Sequence, residues 1–154
     1  MAQSISYSSL LDNVGRIFGP TDPIVLGQHE IDTFADVTND HQWVHVNVDR
    51  ATEELGGTLA HGYLVLALIP QFTAQLITFT DIGHGLNYGL GRVRFTAPVP
   101  SGSRLTATQE IVRVEDKAGG KLITSTMTIS IVGQQRPVCV AEIMVLIFHG
   151  VGSL

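Results

Sequence analysis

The chain has 154 residues, of which 44% are hydrophobic and only 15% are charged, and its formal net charge is −5. This length suits one domain, and we expect a single domain over residues 1–154. The acidic balance argues against a nucleic-acid-binding protein, because the sequence offers no basic surface for phosphates. A surface with so few charges suits a protein that buries part of itself against a second subunit.

The sequence indicates neither export nor membrane insertion. Its first residues lack the basic segment and apolar core of a secretion signal. The longest apolar run, Tyr63 to Pro70, is much shorter than the ~20 residues that a membrane-spanning helix needs. We therefore expect a cytoplasmic protein with no membrane association. The single cysteine, Cys139, lies in an apolar stretch and is predicted to be a buried hydrophobe, not a reactive thiol.

The first third of the chain mixes short helical and extended patterns. Apolar residues at helical spacing predict a short amphipathic helix over residues 7–14, and residues 24–26 follow as an extended segment. The helical pattern returns over residues 31–35, with acidic residues in its first turn, and breaks at Asn39-Asp40. Residues 40–58 show no clear period and are predicted to be mostly irregular.

A long apolar helix is predicted next, followed by strands. Apolar residues cover every face from His61 to Ile77, which is typical of a helix in a core, and Pro70 should kink or break it. Strands are predicted at 104–115, 123–131 and 138–148, with a hairpin over Asp116–Gly120. One buried helix followed by long antiparallel strands implies an α+β arrangement in which a sheet curls around the helix.

The most informative stretch places Asp40 and His45 five residues apart. On a regular helix this spacing turns the two side chains about 140° away from each other, so they converge only if the backbone leaves the helix between them. The break at Asn39-Asp40 permits this. A carboxyl group and a neutral imidazole could then divide the roles of general acid and general base. The alternative is that Asp40 caps a helix and His45 is a solvated loop residue.

Ala60-His61-Gly62 stands at the head of the long apolar helix. The first N–H groups of a helix lack intrahelical acceptors, and glycine lets a ligand approach them closely. A thioester carbonyl placed there would be stabilised as it becomes enolate-like, and one such donor contributes about 3–4 kcal/mol in measured systems. The alternative is that Gly62 only permits close helix packing and His61 is a hydrogen-bonded core residue.

A metal site is the remaining interpretation of the histidines. His41 and His45 lie four residues apart, which on a helix would put both imidazoles on one face with Asp40 alongside. The zinc-protease pattern needs a glutamate directly after the first histidine, and that position is Gln42. Because no cysteine lies nearby either, we expect no metal.

Together these motifs resemble the MaoC-like dehydratase, or (R)-specific enoyl-CoA hydratase, family of hot-dog-fold proteins. The family pattern runs Phe, small residues, Ser/Thr-Gly-Asp, one residue, Asn-Pro, an aliphatic residue and His. This chain carries it as Phe34, Thr38-Asn39-Asp40, His41, Gln42-Trp43, Val44 and His45. The later His-Gly is matched by His61-Gly62, and the segment from Asn87 to Pro100 looks like the family's strand after the central helix. The resemblance implies a hot-dog fold, with a long central helix wrapped by a curved antiparallel β-sheet.

The resemblance also implies roles for individual residues. Asp40 and His45 match the acid–base pair that activates water and protonates the α-carbon. The remaining expected substrate-binding residues are Gly62, whose N–H matches the donor to the thioester oxygen, His61, Asn87 and Tyr88. From the residues alone, Asn87 and Tyr88 either line a pocket or simply enter a strand. The family commonly forms homodimers, with the acyl chain beneath an overhanging loop and coenzyme A near the subunit boundary.

The expected activity is reversible addition of water to trans-2-enoyl-CoA, giving (R)-3-hydroxyacyl-CoA, which would make the protein a carbon–oxygen lyase. Coenzyme A would enter only as part of the thioester substrate, with no other cofactor. The chain departs from the family pattern at Asn39, at Gln42-Trp43 and at Asn47. These departures leave substrate preference open, and a non-catalytic acyl-thioester-binding protein and an acyl-CoA thioesterase stay as alternatives.

Overall fold

A computed structural model describes residues 2–150 of the chain. The strands are β1 (Gln3–Ser6), β2 (Ile17–Phe18), β3 (Ile24–Leu26), β4 (Ile77–Thr80), β5 (Ile82–Phe95), β6 (Ser103–Lys117), β7 (Gly120–Ile131) and β8 (Pro137–His149). The helices are α1 (Gln28–Thr38), α2 (Trp43–Val46), α3 (Val48–Leu55), α4 (Gly62–Ala67) and α5 (Ile69–Leu76). Within residues 2–150, none of these helices is long and apolar enough to cross a membrane.

The main sheet has six strands in the order β2-β6-β7-β8-β5, and β3 also pairs with β6. All of these pairings are antiparallel. A separate parallel pair joins β1 to β4. The sheet wraps around α4 and α5, so the molecule has the α+β hot-dog architecture that the sequence predicted. The three predicted strands correspond to β6, β7 and β8, and the predicted hairpin is confirmed, since Lys117 pairs with Gly120 across a two-residue turn.

The central helix is present but divided. Leu68 separates α4 from α5, and Pro70 is accommodated in the first turn of α5, where its missing N–H disturbs no helical hydrogen bond. Burial on every face was the wrong expectation. Leu64 and Phe72 are buried, whereas Tyr63 is 73% exposed, and Ala67 and Pro70 are exposed along the same side. One stripe of the helix therefore faces outward in the isolated chain.

Two hydrophobic clusters hold the fold together. The larger one lies between α4–α5 and the inward faces of the long strands, with Phe72, Met127 and Cys139 fully buried. The smaller one, which includes Ile5, lies beneath the β1–β4 pair. The burial predicted for Cys139 is confirmed, and it raises the pKa of this thiol to about 11 from the usual 9.0.

The first third of the chain corrects two predictions. In place of an amphipathic helix over residues 7–14, two short 3-10 turns flank the buried Leu10. Residues 40–58 are not mostly irregular, because they contain α2 and α3. Helix α3 is stabilised by its ends more than by an apolar face: the Asn47 side chain accepts from the Arg50 N–H at 3.1 Å, and Gly56 ends the helix at φ 82°. Val48, Ala51 and Leu55 do stand at helical spacing in this segment, but Ala51 alone among these three is buried.

Candidate active site

Asp40 is positioned by the end of α1. The helix stops at Asn39, whose φ of 57° and ψ of 28° are left-handed, a conformation that asparagine tolerates better than most residues. The Asp40 N–H then donates to the Ala35 carbonyl at 3.1 Å, which closes the helix end. The backbone therefore leaves the helix between Asp40 and His45, as convergence of their side chains requires.

His45 is held by the Leu59 backbone on one side and by the Gln28 side chain on the other. Its Nδ1 lies 2.6 Å from the Leu59 carbonyl oxygen. Because a carbonyl oxygen only accepts, Nδ1 carries the proton and Nε2 keeps its lone pair. The Leu59 N–H donates to Val44 O at 2.9 Å, and Gln28 Nε2 donates to His45 O at 2.7 Å. These bonds fix the orientation of the imidazole and make Nε2 its basic nitrogen.

His61 connects the two residues. Its side chain is 3% exposed, and Nε2 donates to the Asp40 carbonyl oxygen at 3.0 Å while lying 4.0 Å from Asp40 Oδ2. The imidazole stacks on that of His45, with ring centroids 3.7 Å apart and planes inclined by 25°. Phe34 packs against its edge with centroids 5.0 Å apart. Within residues 2–150, His61 Nδ1 has no hydrogen-bond partner. His61 is thus a buried residue that supports both Asp40 and His45.

Asp40, His45 and His61 form one cluster, because a carboxylate oxygen of Asp40 and one ring nitrogen of each histidine all lie within 4.8 Å of one another. The Asp40 side chain is 41% exposed, so the cluster opens to the surface of the isolated chain. Two imidazoles and a carboxylate are ligand types that divalent zinc accepts. His41, the histidine that the metal hypothesis included, lies apart from this cluster and pairs with Asp36 at 2.9 Å.

Gly62 is the first residue of α4, so its N–H has no acceptor within the helix. A Cβ at this position would lie 3.1 Å from the Phe95 ring, which is tighter than ordinary packing allows. A small cavity of about 180 Å³ lies beside both residues. Close packing is therefore one reason for glycine here.

A larger cavity of about 620 Å³ runs along α4 and α5, from Leu66 to Ile77. Its volume is typical of small-molecule sites. Asn87 lies in its wall, whereas the Tyr88 side chain is 48% exposed and lies under Lys117 Nζ, which is 4.7 Å from the ring centroid. Both residues lie within β5. Asn87 is in the pocket wall and Tyr88 is outside it, because successive side chains of a strand point to opposite faces.

Sequence reasoning missed several residues of these sites. The Leu59 carbonyl, which orients His45, could not be found, because a backbone acceptor has no residue-type signature. Thr73, Gln109 and Ser125 form a hydrogen-bonded chain in the cavity wall, with distances of 3.0 Å and 3.2 Å. The alternation of β7 does contain a clue, because Ser125 occupies an inward position between the buried residues Ile123 and Met127.

The sequence matches a known protein family. The family model described as MaoC-like domain matches residues 11–133. The chain belongs to the MaoC-like family. It is 42% identical over 142 residues to 3-hydroxyacyl-thioester dehydratase Z of Mycobacterium tuberculosis, covering 91% of this chain and 94% of that protein. The protein is therefore an enzyme of the family's hydratase and dehydratase class.

Solved structures share the same MaoC-like fold at low sequence identity. R-hydratase PhaJ1 of Pseudomonas aeruginosa superposes with a TM-score of 0.71 at 21% identity, covering 88% of this chain and 82% of its own. The HadBC complex of Mycobacterium tuberculosis, a 3R-hydroxyacyl-ACP dehydratase, gives a TM-score of 0.69 at 19% identity, covering 88% and 97%. At these identities the likeness establishes the fold, and the chemistry must be argued from the residues.

Proposed function

We propose that this protein adds water reversibly to trans-2-enoyl thioesters and gives (R)-3-hydroxyacyl thioesters, with coenzyme A as the expected carrier. The main support is the tautomer of His45. Its Nδ1–H is engaged by the Leu59 carbonyl, so Nε2 is available as a base, and a ring nitrogen of His45 lies within 4.8 Å of the Asp40 carboxylate. The curated dehydratase relative acts on a 3-hydroxyacyl thioester, as its name states, which agrees with this substrate class.

In the proposed reaction, a water molecule is held between His45 Nε2 and Asp40. Its oxygen bonds to C3 of the enoyl group while one of its protons passes to Nε2. The pair then returns one proton to C2, so that the protein ends in its starting state and the product has gained one water. Dehydration follows the same path in reverse. The (R) configuration is inferred from the family resemblance and depends on which face of the double bond lies toward the pair.

The Gly62 N–H is the proposed donor to the thioester oxygen. As water adds, negative charge develops on this oxygen, and an N–H directed at it stabilises the transition state more than the ground state. The position of Gly62 at the start of α4 adds the positive end of the helix dipole. His61 is proposed to position the pair through its bond to the Asp40 carbonyl and its stacking on His45.

The direct test follows the loss of enoyl absorbance with trans-2-enoyl-CoA for the wild type, Asp40→Asn and His45→Gln. Each substitution should lower kcat by about 10²–10⁴-fold, the usual contribution of general acid–base catalysis. Asp36→Asn is a matched control, because Asp36 is an exposed carboxylate of the preceding helix that pairs with His41. Variants as fast as the wild type would refute the assignment. Release of free thiol without hydration would identify a thioesterase.

A homodimer is the expected assembly, and the edge strand β5 supports it. In the sheet order β5 is terminal, with β8 on one side, and its side chains Leu86, Tyr88 and Leu90 are about half exposed. A long apolar edge invites pairing with another strand. Tyr63 on α4 is exposed as well, and so is Asp40 in part. A second copy paired along β5 would cover these surfaces and enclose the active site.

Sedimentation equilibrium tests this assembly. The wild type should sediment as a dimer at micromolar concentration, and Leu86→Pro, which removes an N–H within the β5 edge and disturbs its backbone, should shift it toward monomer. Leu55→Ser is the control, because it replaces an exposed leucine of α3, which lies outside the β5 edge. A monomeric wild type would exclude the dimer without bearing on the chemistry of the pair.

A further inference from the structure

The wall of the larger cavity is apolar apart from four side chains, which are Thr73, Asn87, Gln109 and Ser125. Gln109 is 4% exposed and Ser125 is 1% exposed, so both are buried polar groups that face the cavity. Thr73 Oγ1 donates to Gln109 Oε1 at 3.0 Å, and Gln109 Nε2 donates to Ser125 Oγ at 3.2 Å. Polar groups are rarely placed in an apolar wall without a partner to satisfy them.

The two observed hydrogen bonds use two of the four protons that these three side chains can donate. In the observed arrangement, the Ser125 hydroxyl proton and the second amide proton of Gln109 remain available, because no other side-chain partner of either residue occurs within residues 2–150. If the Gln109 amide is turned over, the amide nitrogen donates to Thr73, and the Ser125 hydroxyl donates to the amide oxygen. The Thr73 hydroxyl proton and one amide proton are then available. Either way, one hydroxyl and one amide proton remain.

An unbranched hydrocarbon chain in this cavity would leave both donors buried without an acceptor. A donor that loses its hydrogen bond to water and finds no other acceptor destabilises the complex. A ligand oxygen that accepts from the hydroxyl and the amide would remove this cost. The sites that discriminate most strongly between similar substrates work in this way, because the analogue that lacks the oxygen leaves their polar groups unpaired.

The position of the polar group along the cavity limits where the ligand oxygen can be. Thr73 lies eleven residues beyond Gly62, or about 16 Å along the helix at the usual rise per residue. The proposed function puts the thioester carbonyl at Gly62, which lines the smaller cavity, and the larger cavity begins four residues further along the chain, at Leu66. The oxygen that meets Thr73, Gln109 and Ser125 therefore belongs to the distal part of the acyl group and not to the reacting carbons.

On this basis we propose that the preferred substrate is an acyl thioester with a hydrogen-bond-accepting oxygen, a hydroxyl or a ketone, on the distal part of its chain. This inference rests on the proposed hydratase function and specifies the substrate class of the same site. Thr73, Gln109 and Ser125 are then specificity-determining residues. They take no part in the proton transfers at Asp40 and His45.

The test compares pairs of trans-2-enoyl-CoA substrates of equal chain length, in which one member has a distal hydroxyl or keto group and the other is a plain hydrocarbon. The wild type should favour the oxygenated member by about tenfold in kcat/KM, as one or two neutral hydrogen bonds allow. Ser125→Ala and Thr73→Val should bring this ratio toward one. Ser130→Ala, the same substitution at a position of β7 that does not line the larger cavity, should leave the ratio as in the wild type.

The outcomes separate this inference from the function on which it rests. Rapid hydration with no preference, or a preference unchanged in Ser125→Ala and Thr73→Val, would overturn the substrate class and leave the hydratase intact. If no enoyl thioester is hydrated, calorimetric binding of saturated acyl-CoA pairs decides. Tighter binding of the oxygenated member that is lost in Ser125→Ala supports the inference, and equal binding refutes it. Comparison of the hydroxyl-bearing and keto-bearing substrates shows which of the two oxygens the site prefers.

Discussion

The two ends of the central helix are built in different ways. At the start of α4, the cluster of Asp40, His45 and His61 is held by backbone carbonyls, those of Leu59 and Asp40. Along α4 and α5, the larger cavity is shaped by side chains, and its polar groups bond to one another. The catalytic cluster thus depends in part on backbone acceptors that substitution cannot remove, whereas the polar groups of the larger cavity are all side chains.

Removal of the catalytic pair should give the largest effect. If Asp40 and His45 act as a unit, the double variant Asp40→Asn/His45→Gln should be hardly slower than either single variant, with kcat reduced by about 10²–10⁴-fold in each. Single-turnover hydration of an enoyl-CoA measures this. Losses that multiply in the double variant would show that the two residues act independently.

Narrowing the cavity should alter specificity by a smaller factor. Ala74 lines the larger cavity, and Ala74→Leu puts a larger side chain there, which leaves less room for an acyl chain. The ratio of kcat/KM for long-chain over short-chain enoyl-CoA should fall by about tenfold, equivalent to about 1.4 kcal/mol. Gln71→Leu, at an exposed position of the same helix away from the cavity, is the control. An unchanged ratio for Ala74→Leu would place the acyl chain elsewhere.

Close packing at the start of the helix should appear as a stability effect. Gly62→Ala brings a methyl group within 3.1 Å of the Phe95 ring, so the ring must move by a few tenths of an ångström to accommodate it. Phe95→Leu should relieve the contact, so the double variant should be more stable than the sum of the single changes predicts. Urea unfolding of the four proteins gives the coupling free energy. Additive losses would mean that the ring does not limit this position.

Cys139 should give the smallest functional effect. Burial raises its pKa to about 11 from 9.0, so the folded protein favours the neutral thiol. This contribution to stability is complete below pH 9.0 and is lost as the pH rises toward about 11. At pH 8 a thiol reagent should label the native protein very slowly and the urea-unfolded chain at one site, with activity unaffected by Cys139→Ala. Rapid labelling of the native protein would contradict the burial.

Patterns within single segments predicted much of the fold. The alternation in β6, β7 and β8 and the helical period of α1 depend on which face of each element is buried, and this is written directly in the order of residues. The same holds for the break at Asn39, because a left-handed residue is a local preference. Helix α3 was not predicted, although Val48, Ala51 and Leu55 stand at helical spacing, because its eight residues are short and mostly polar.

The candidate pair was found for the same local reason, because Asp40 and His45 lie close in sequence and in a family motif. Their support could not be found in this way. The stacking of His61 on His45, the carbonyl of Leu59 and the exposed stripe at Tyr63 all depend on segments that meet only after folding. The sequence determined which groups are available and which local structures they favour. The tertiary structure alone decided which atoms face each other, because hydrogen bonds and packing depend on distances that no single segment sets.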